Sequence, residues 1–162
     1  MPLKNNLRVI TIDGPGGVGK STTAKLLARR LGMTYLDTGA TYRSLAYEAH
    51  RRGLHEVNAA KQIAALARRL PLRLKPTDAG GLRVWLGTED VTEQIRTETI
   101  SEAAAVISQN PQVRAAMVQL QRSLAKRQAV VVEGRDTGSV VFPRADHKFF
   151  LDANSTIRAR RR

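Results

Sequence analysis

The chain has 162 residues, no cysteine, and 27 basic against 14 acidic side chains, which gives a net charge of +13. This length suits one domain with a sizeable core, and the missing cysteines exclude a disulfide framework and a thiolate metal site. The charge favours an anionic partner, either a nucleic acid or a small polyphosphate, and the longest apolar run, residues 129–132, is far too short to cross a bilayer. We therefore expect a cytoplasmic protein with no membrane contact.

Short apolar strands alternate with helical segments along the chain. Strands are predicted at 7–14, 33–39, 129–136 and 147–153, and helices at 20–31, 38–52, 58–70, 95–109 and 111–124. This alternation predicts an α/β three-layer sandwich with a mostly parallel sheet. Residues 70–92 alternate apolar and polar side chains about a Pro/Gly/Asp turn, which predicts a small inserted antiparallel hairpin.

The segment GPGGVGKS, residues 14–21, fits the phosphate-loop pattern G-x-x-x-x-G-K-[ST] between a strand and a helix. Its glycines allow successive N–H groups to turn around an anion. Lys20 is predicted to reach the β- and γ-phosphates of ATP, and the Ser21 hydroxyl to bind Mg²⁺. The predicted ATP-binding residues are Gly14, Pro15, Gly16, Gly17, Val18, Gly19, Lys20, Ser21 and Thr22. The loop alone does not identify what accepts the phosphoryl group of ATP, because it is shared by motors, switches, helicases and small-molecule kinases.

The segment VVVEGRD, residues 130–136, is an apolar strand that ends in charged residues. A strand-end acid is typical of the Walker-B pattern, so Glu133 is predicted to hold a water on Mg²⁺. A strand-end carboxylate with no metal role is the alternative. Asp13, just before the phosphate loop, is a weaker candidate for the same metal-binding role.

Four motifs together carry a resemblance to a known family. They are IDGPGGVGKST (12–22), LDTGATYR (36–43), IRTETISEAAAVISQNPQVR (95–114) and EGRDTGSVVFP (133–143). The chain resembles the bacterial cytidylate kinases, which are nucleoside monophosphate kinases. The resemblance implies one P-loop kinase domain over 1–162, with a monophosphate-binding insert at about 38–110 that contains the hairpin. It implies transfer of the ATP γ-phosphoryl group to CMP or dCMP, by a monomer that needs no nucleic acid.

The resemblance also implies which residues bind the acceptor. Arg43 and Arg135 would grip its phosphate, since two guanidinium forks suit a dianion. Arg114 and Asp136 would recognise the cytosine, Asp136 by accepting a hydrogen bond from the exocyclic amine. Thr38 and Tyr42 would line the same pocket. Without the family resemblance, three alternatives remain. Arg114 is a solvated residue, Arg135 and Asp136 form ordinary ion pairs with their neighbours, and Tyr42 only packs against other side chains.

The C-terminal segment 154–162 resembles the start of the family's lid helix. The resemblance implies that Arg158 and Arg161 join Lys20 and Arg135 in neutralising the transferred phosphoryl group. In the family a longer C-terminal part follows this segment, whereas this chain ends at Arg162. We therefore expect a C-terminally truncated protein that binds ATP but turns over slowly.

Two other functions remain open from the sequence. A different P-loop small-molecule kinase, acting on a sugar acid, shikimate or another nucleotide, would share the loop and the lid, but would not need LDTGATYR together with EGRDTG. An ATP-dependent nucleic-acid-binding protein is favoured by the charge of +13 and disfavoured by an aromatic content of 4%.

Overall fold

The computed structural model describes residues 8–54, 56–77, 81–126, 128–154, 156 and 158. The chain divides into two compact units, one of residues 1–38 with 124–162 and the other of residues 39–123. In chain order the elements are β1 (Val9–Asp13), α1 (Lys20–Leu31), β2 (Thr34–Asp37), α2 (Thr38–Arg51), α3 (Glu56–Arg68), β3 (Leu72–Pro76), β4 (Leu82–Leu86), β5 (Glu89–Asp90), a 3₁₀ turn (Gln94–Arg96), α4 (Glu98–Ile107), α5 (Pro111–Ala125), β6 (Val130–Gly134), a π-helical turn (Thr137–Val141) and β7 (His147–Phe150).

The first unit is built on a four-stranded sheet in the order β2-β6-β1-β7, and every pair in it is parallel. Its central strands are apolar and buried, and Val130, Val131 and Val132 have at most 1% of their surface exposed. Continuous apolar runs of this kind are expected of strands that are covered on both faces. The predicted α/β class with a mostly parallel sheet is therefore confirmed. Because all strands run the same way, their carboxyl ends lie along one edge.

The second unit contains most of α2, with α3, α4 and most of α5, and a small antiparallel sheet in the order β3-β4-β5. The predicted hairpin is β3 with β4, and the short β5 adds a third strand that the sequence did not indicate. Leu82, Val84 and Leu86 are buried on one face of β4. The assignment of an insert at about 38–110 as the monophosphate-binding part stays a prediction.

The end of α1 and the start of α5 lie at the residues that the sequence analysis predicts. Gly32 follows α1 in the left-handed conformation, with φ 62°. Asn110 caps α5, because its Oδ1 accepts hydrogen bonds from the backbone N–H groups of Gln112 at 2.9 Å and Val113 at 3.3 Å. Across the described ranges, no helix combines the length and the apolar character needed to span a bilayer.

Candidate active site

The phosphate loop connects β1 to α1 and depends on glycine at defined positions. Gly14, Gly17 and Gly19 have φ of 149°, 80° and 100°, and every described residue with positive φ is a glycine. A methyl group on Gly14 would collide with the carbonyl oxygen of Leu151. Leu151 is itself held in place, because its N–H donates to the Asp13 carbonyl at 2.8 Å. The loop therefore has a shape that only glycine permits.

The Lys20 side chain folds back over this loop. Its Nζ donates to the Pro15 carbonyl oxygen at 2.7 Å. Burial lowers the pKa of Lys20, the Glu133 carboxylate opposes this shift, and the Arg135 guanidinium adds to the lowering. At the start of α1, no side chain among the described residues caps the helix and its first turn contains no acid. The helix N-terminus thus adds partial positive charge beside Lys20.

Glu133 lies at the carboxyl end of β6 and is the buried centre of a polar cluster. Its Oε1 accepts a hydrogen bond from the Ser21 hydroxyl at 2.8 Å and a short one from the Tyr35 hydroxyl. Its Oε2 is also buried, and it accepts no hydrogen bond from any described residue. Burial raises the pKa of Glu133, the Asp37 carboxylate adds to the rise, and the two hydroxyls and Lys20 oppose it.

Tyr35 and Asp37 are site residues that the sequence analysis did not single out. Asp37 pairs with Glu133 in the register between β2 and β6, so the two acids lie side by side. Burial, followed by the charges of Asp37 and Glu133, raises the pKa of Tyr35, which keeps its hydroxyl protonated as a donor. An acid at a strand end is the signal that identified Glu133, and it would have identified Asp37 too. An aromatic residue inside a strand gives no such signal.

Asp13 anchors the π-helical turn that follows β6. Its Oδ1 accepts hydrogen bonds from the Thr137 N–H at 2.9 Å and the Thr137 hydroxyl at 2.7 Å. Its Oδ2 accepts from the Gly138 N–H at 2.8 Å. Both carboxylate oxygens are thus engaged by the turn. The weaker claim of Asp13 to a metal role is therefore not supported, and its observed task is to hold this turn against β1.

Arg135 and Asp136 immediately precede the π-helical turn. Arg135 is exposed and Asp136 is half-buried. The Asp136 carbonyl accepts from the Val140 N–H at 2.8 Å, which closes the turn. Thr38, at the start of α2, donates its hydroxyl to the Glu133 carbonyl oxygen at 2.7 Å and is buried. The first unit therefore brings Lys20, Ser21, Thr38, Glu133, Arg135 and Asp136 to the carboxyl edge of its sheet.

The segment after β7 also contacts the phosphate loop. A methyl group on Gly17 would lie 2.9 Å from the carbonyl oxygen of Arg158. The Arg158 N–H donates to the Asn154 carbonyl at 3.0 Å, and its Nε is buried without a hydrogen bond to any described residue. The predicted lid residue Arg158 is thus beside the loop, whereas Arg161 lies outside the described residues.

The other predicted acceptor residues belong to the second unit. Tyr42 and Arg43 are on α2 and Arg114 is on α5, and all three are half-buried. Buried Gln121 on α5 donates its Nε2 to the hydroxyl of buried Thr41 on α2 at 2.9 Å, which ties the two helices together. The roles of these three residues stay predictions.

Comparison with known proteins identifies the family. A family model for cytidylate kinase matches residues 10–162. A curated cytidylate kinase of Pelotomaculum thermopropionicum is 48% identical over 160 residues, which are 98% of this chain and 70% of the relative. The cytidylate kinase of Symbiobacterium thermophilum is 47% identical over 95% of this chain and 68% of its own length. That of Neisseria gonorrhoeae is 48% identical over 98% of this chain and 70% of its own. The chain, with its glycine-shaped loop and strand-end acids, belongs to the cytidylate kinase family.

Proposed function

We propose that this protein transfers the γ-phosphoryl group of ATP to CMP or dCMP, giving ADP and CDP or dCDP. The observation that carries this proposal is the grouping of Lys20, Ser21, Glu133 and Arg135 at one sheet edge in a chain of this family. Phosphoryl transfer needs in-line positioning and positive charge around the moving group, with little covalent chemistry from the protein. Family membership favours this acceptor over a sugar acid or shikimate.

On the donor side, we assign ATP binding to the phosphate loop, from Gly14 to Thr22. Lys20 now donates to a loop carbonyl, and we propose that it exchanges this partner for the β- and γ-phosphate oxygens. The N–H groups at the start of α1 bind the same anion. We assign the remaining cationic charge around the transferred group to Arg135, Arg158 and Arg161.

Ser21 has the chemistry to hold Mg²⁺ directly, and Glu133 has the chemistry to hold a water on it. The buried Oε2 of Glu133 is a hard oxygen acceptor without a protein donor among the described residues. The Ser21 proton is committed to Glu133 Oε1, so the lone pairs of its oxygen remain for a cation. Within the described ranges no three His, Cys, Asp or Glu side chains form a metal cluster. Mg²⁺ commonly keeps several waters and binds through one or two protein oxygens together with substrate phosphates, so a larger cluster is not required. When bound, Mg²⁺ would neutralise charge on those phosphates.

On the acceptor side, we assign the phosphate to Arg135 and Arg43, and the cytosine to Asp136 and Arg114. The carboxylate of Asp136 can accept from the exocyclic amine of cytosine, a donor that uracil lacks. A binding site built to hydrogen-bond an amine disfavours a base without one. Thr38 and Tyr42 are assigned to the same acceptor.

The test is calorimetric titration of the protein with CMP, UMP and AMP. Arg135→Ala should weaken all three monophosphates alike, by about 10- to 100-fold, because it removes a charged hydrogen-bond donor to the shared phosphate. Asp136→Ala should mainly remove the preference for CMP. Arg144→Ala, at an exposed arginine in the turn before β7, is the matched control and should change nothing. Equal losses for all three nucleotides in Asp136→Ala would contradict the base-recognition role.

We further propose that the protein works as a cytoplasmic monomer without a nucleic-acid partner. The proposal is supported by a small-molecule reaction that needs no second chain. Light scattering should give the mass of one chain. A gel-shift titration should show no RNA or DNA binding at physiological salt, whereas a steep salt slope would indicate phosphate-backbone contacts and contradict the proposal.

A further inference from the structure

The Tyr35 hydroxyl is the more deeply buried of the two donors to Glu133. Tyr35 is 5% exposed, within β2, whereas Ser21 is an exposed residue in the first turn of α1. Both hydroxyls donate to the same oxygen, Oε1. The other oxygen, Oε2, receives no hydrogen bond from the described residues. Among the residues that the structure describes, the carboxylate is therefore held through Oε1 alone.

Two neighbours explain why this carboxylate needs a fixed donor. Asp37 lies beside Glu133 in the strand register, and adjacent like charges repel each other. A carboxylate held only by Ser21 could turn about its side-chain torsions under that repulsion. Lys25 Nζ lies 5.6 Å from the centre of the Tyr35 ring, so a cation–π contact helps to hold the ring that carries the second donor.

We infer that Tyr35 is a positioning residue for the metal site: its hydroxyl fixes Glu133 Oε1 so that Oε2 faces the cation and the Ser21 oxygen keeps its lone pairs for it. This inference rests on the proposed function, because it assumes that Ser21 and Glu133 hold Mg²⁺ beside ATP. Tyr35 touches neither the phosphates nor the cation in this role. It acts through Glu133, as outer residues around metal ligands commonly do.

The test compares ATP binding with and without Mg²⁺. ATP is titrated by calorimetry into wild-type protein and Tyr35→Phe, once in excess Mg²⁺ and once in a chelator. Tyr35→Phe keeps the ring and its contact with Lys25 but removes the hydroxyl. We expect it to weaken binding of ATP with Mg²⁺ by about 10-fold, and to leave binding of ATP in the chelator unchanged. A role in packing alone would weaken both equally.

Tyr47 provides a matched control on α2. Its hydroxyl lies 3.4 Å from Glu89 Oε1, and the Arg51 guanidinium lies 5.6 Å from its ring centre. Tyr47→Phe therefore removes a tyrosine hydroxyl that also has a carboxylate partner and a cation over the ring. We expect this variant to keep the wild-type response to Mg²⁺.

Glu133→Gln gives a second measurement. The amide oxygen can still accept both hydroxyls, but the charge that attracts a cation is gone. We expect the Mg²⁺ effect to be lost, and Tyr35→Phe to cause no further change in that background. The inference is overturned if Tyr35→Phe keeps the full Mg²⁺ effect, or weakens ATP binding equally with and without the cation. A wild-type protein that shows no Mg²⁺ effect would instead overturn the proposed metal site, and with it this inference.

Discussion

Replacing Asp13 by asparagine changes one atom of a side chain that is 8% exposed and holds the π-helical turn. The carboxylate accepts hydrogen bonds at 2.9, 2.7 and 2.8 Å from the turn. An asparagine oxygen can keep the two bonds from Thr137. Its NH₂ group would then face the N–H of Gly138, where two donors meet and no bond can form.

The magnitude follows from these contacts. A hydrogen bond to a charged group contributes about 1.5–3 kcal/mol, and the bond from Gly138 is lost completely. The two bonds from Thr137 survive as neutral bonds of roughly half the strength. These losses sum to about 3–6 kcal/mol, so we expect Asp13→Asn to lower the free energy of unfolding by at least about 3 kcal/mol. For a chain of this size, that corresponds to a fall in thermal midpoint of about 6–12 °C.

The assay is thermal unfolding followed by circular dichroism, with Asp146→Asn as the control. Asp146 also accepts a backbone hydrogen bond, from the Val9 N–H at 2.8 Å, but it is exposed. Water can replace that bond, so the control should lose less than about 1 kcal/mol. The same fall in both variants would refute the view that the buried Asp13 carboxylate holds the turn.

Three further predictions concern stability. Gly14→Ala should lower the free energy of unfolding in urea by about 3 kcal/mol, because the added methyl group would strike the Leu151 carbonyl. The control Gly32→Ala should lower it by about 1 kcal/mol, because Gly32 has φ 62° but open space around it. Equal losses in the two variants would contradict this prediction. Burial raises the pKa of Glu133, so the wild type loses stability as the pH rises through that pKa, whereas Glu133→Gln does not. The thermal midpoint of this variant minus that of the wild type should therefore increase from about pH 4 to about pH 8, and a constant difference would argue against a buried charge. Asn110→Ala should cost about 1 kcal/mol through loss of the α5 cap, and an unchanged urea midpoint would show that the cap contributes nothing.

Local sequence patterns were sufficient to predict the features of this protein that depend on residues close together in the chain. The phosphate loop is defined by glycine spacing within 14–21, and the helix caps at Gly32 and Asn110 by the residue at each end. Glu133 was recognisable because it ends an apolar strand, and parallel strands bring their carboxyl ends to one edge. The roles of Arg43, Arg114 and Asp136 came from the family resemblance and stay predictions.

Other parts of the site depend on residues far apart in the chain, and only the folded structure decided them. The Tyr35 hydroxyl meets a carboxylate 98 positions away, and the Asp13 carboxylate meets a turn 124 positions away. No local periodicity encodes such contacts, because the register between β2, β6 and β1 sets which strand residues become neighbours. The sequence by itself determined the glycine-rich loop to which we assign the nucleotide phosphates. The pairing of the strands determined that Oε1 of Glu133 accepts the Tyr35 hydroxyl, while its buried Oε2 accepts no hydrogen bond from the described residues.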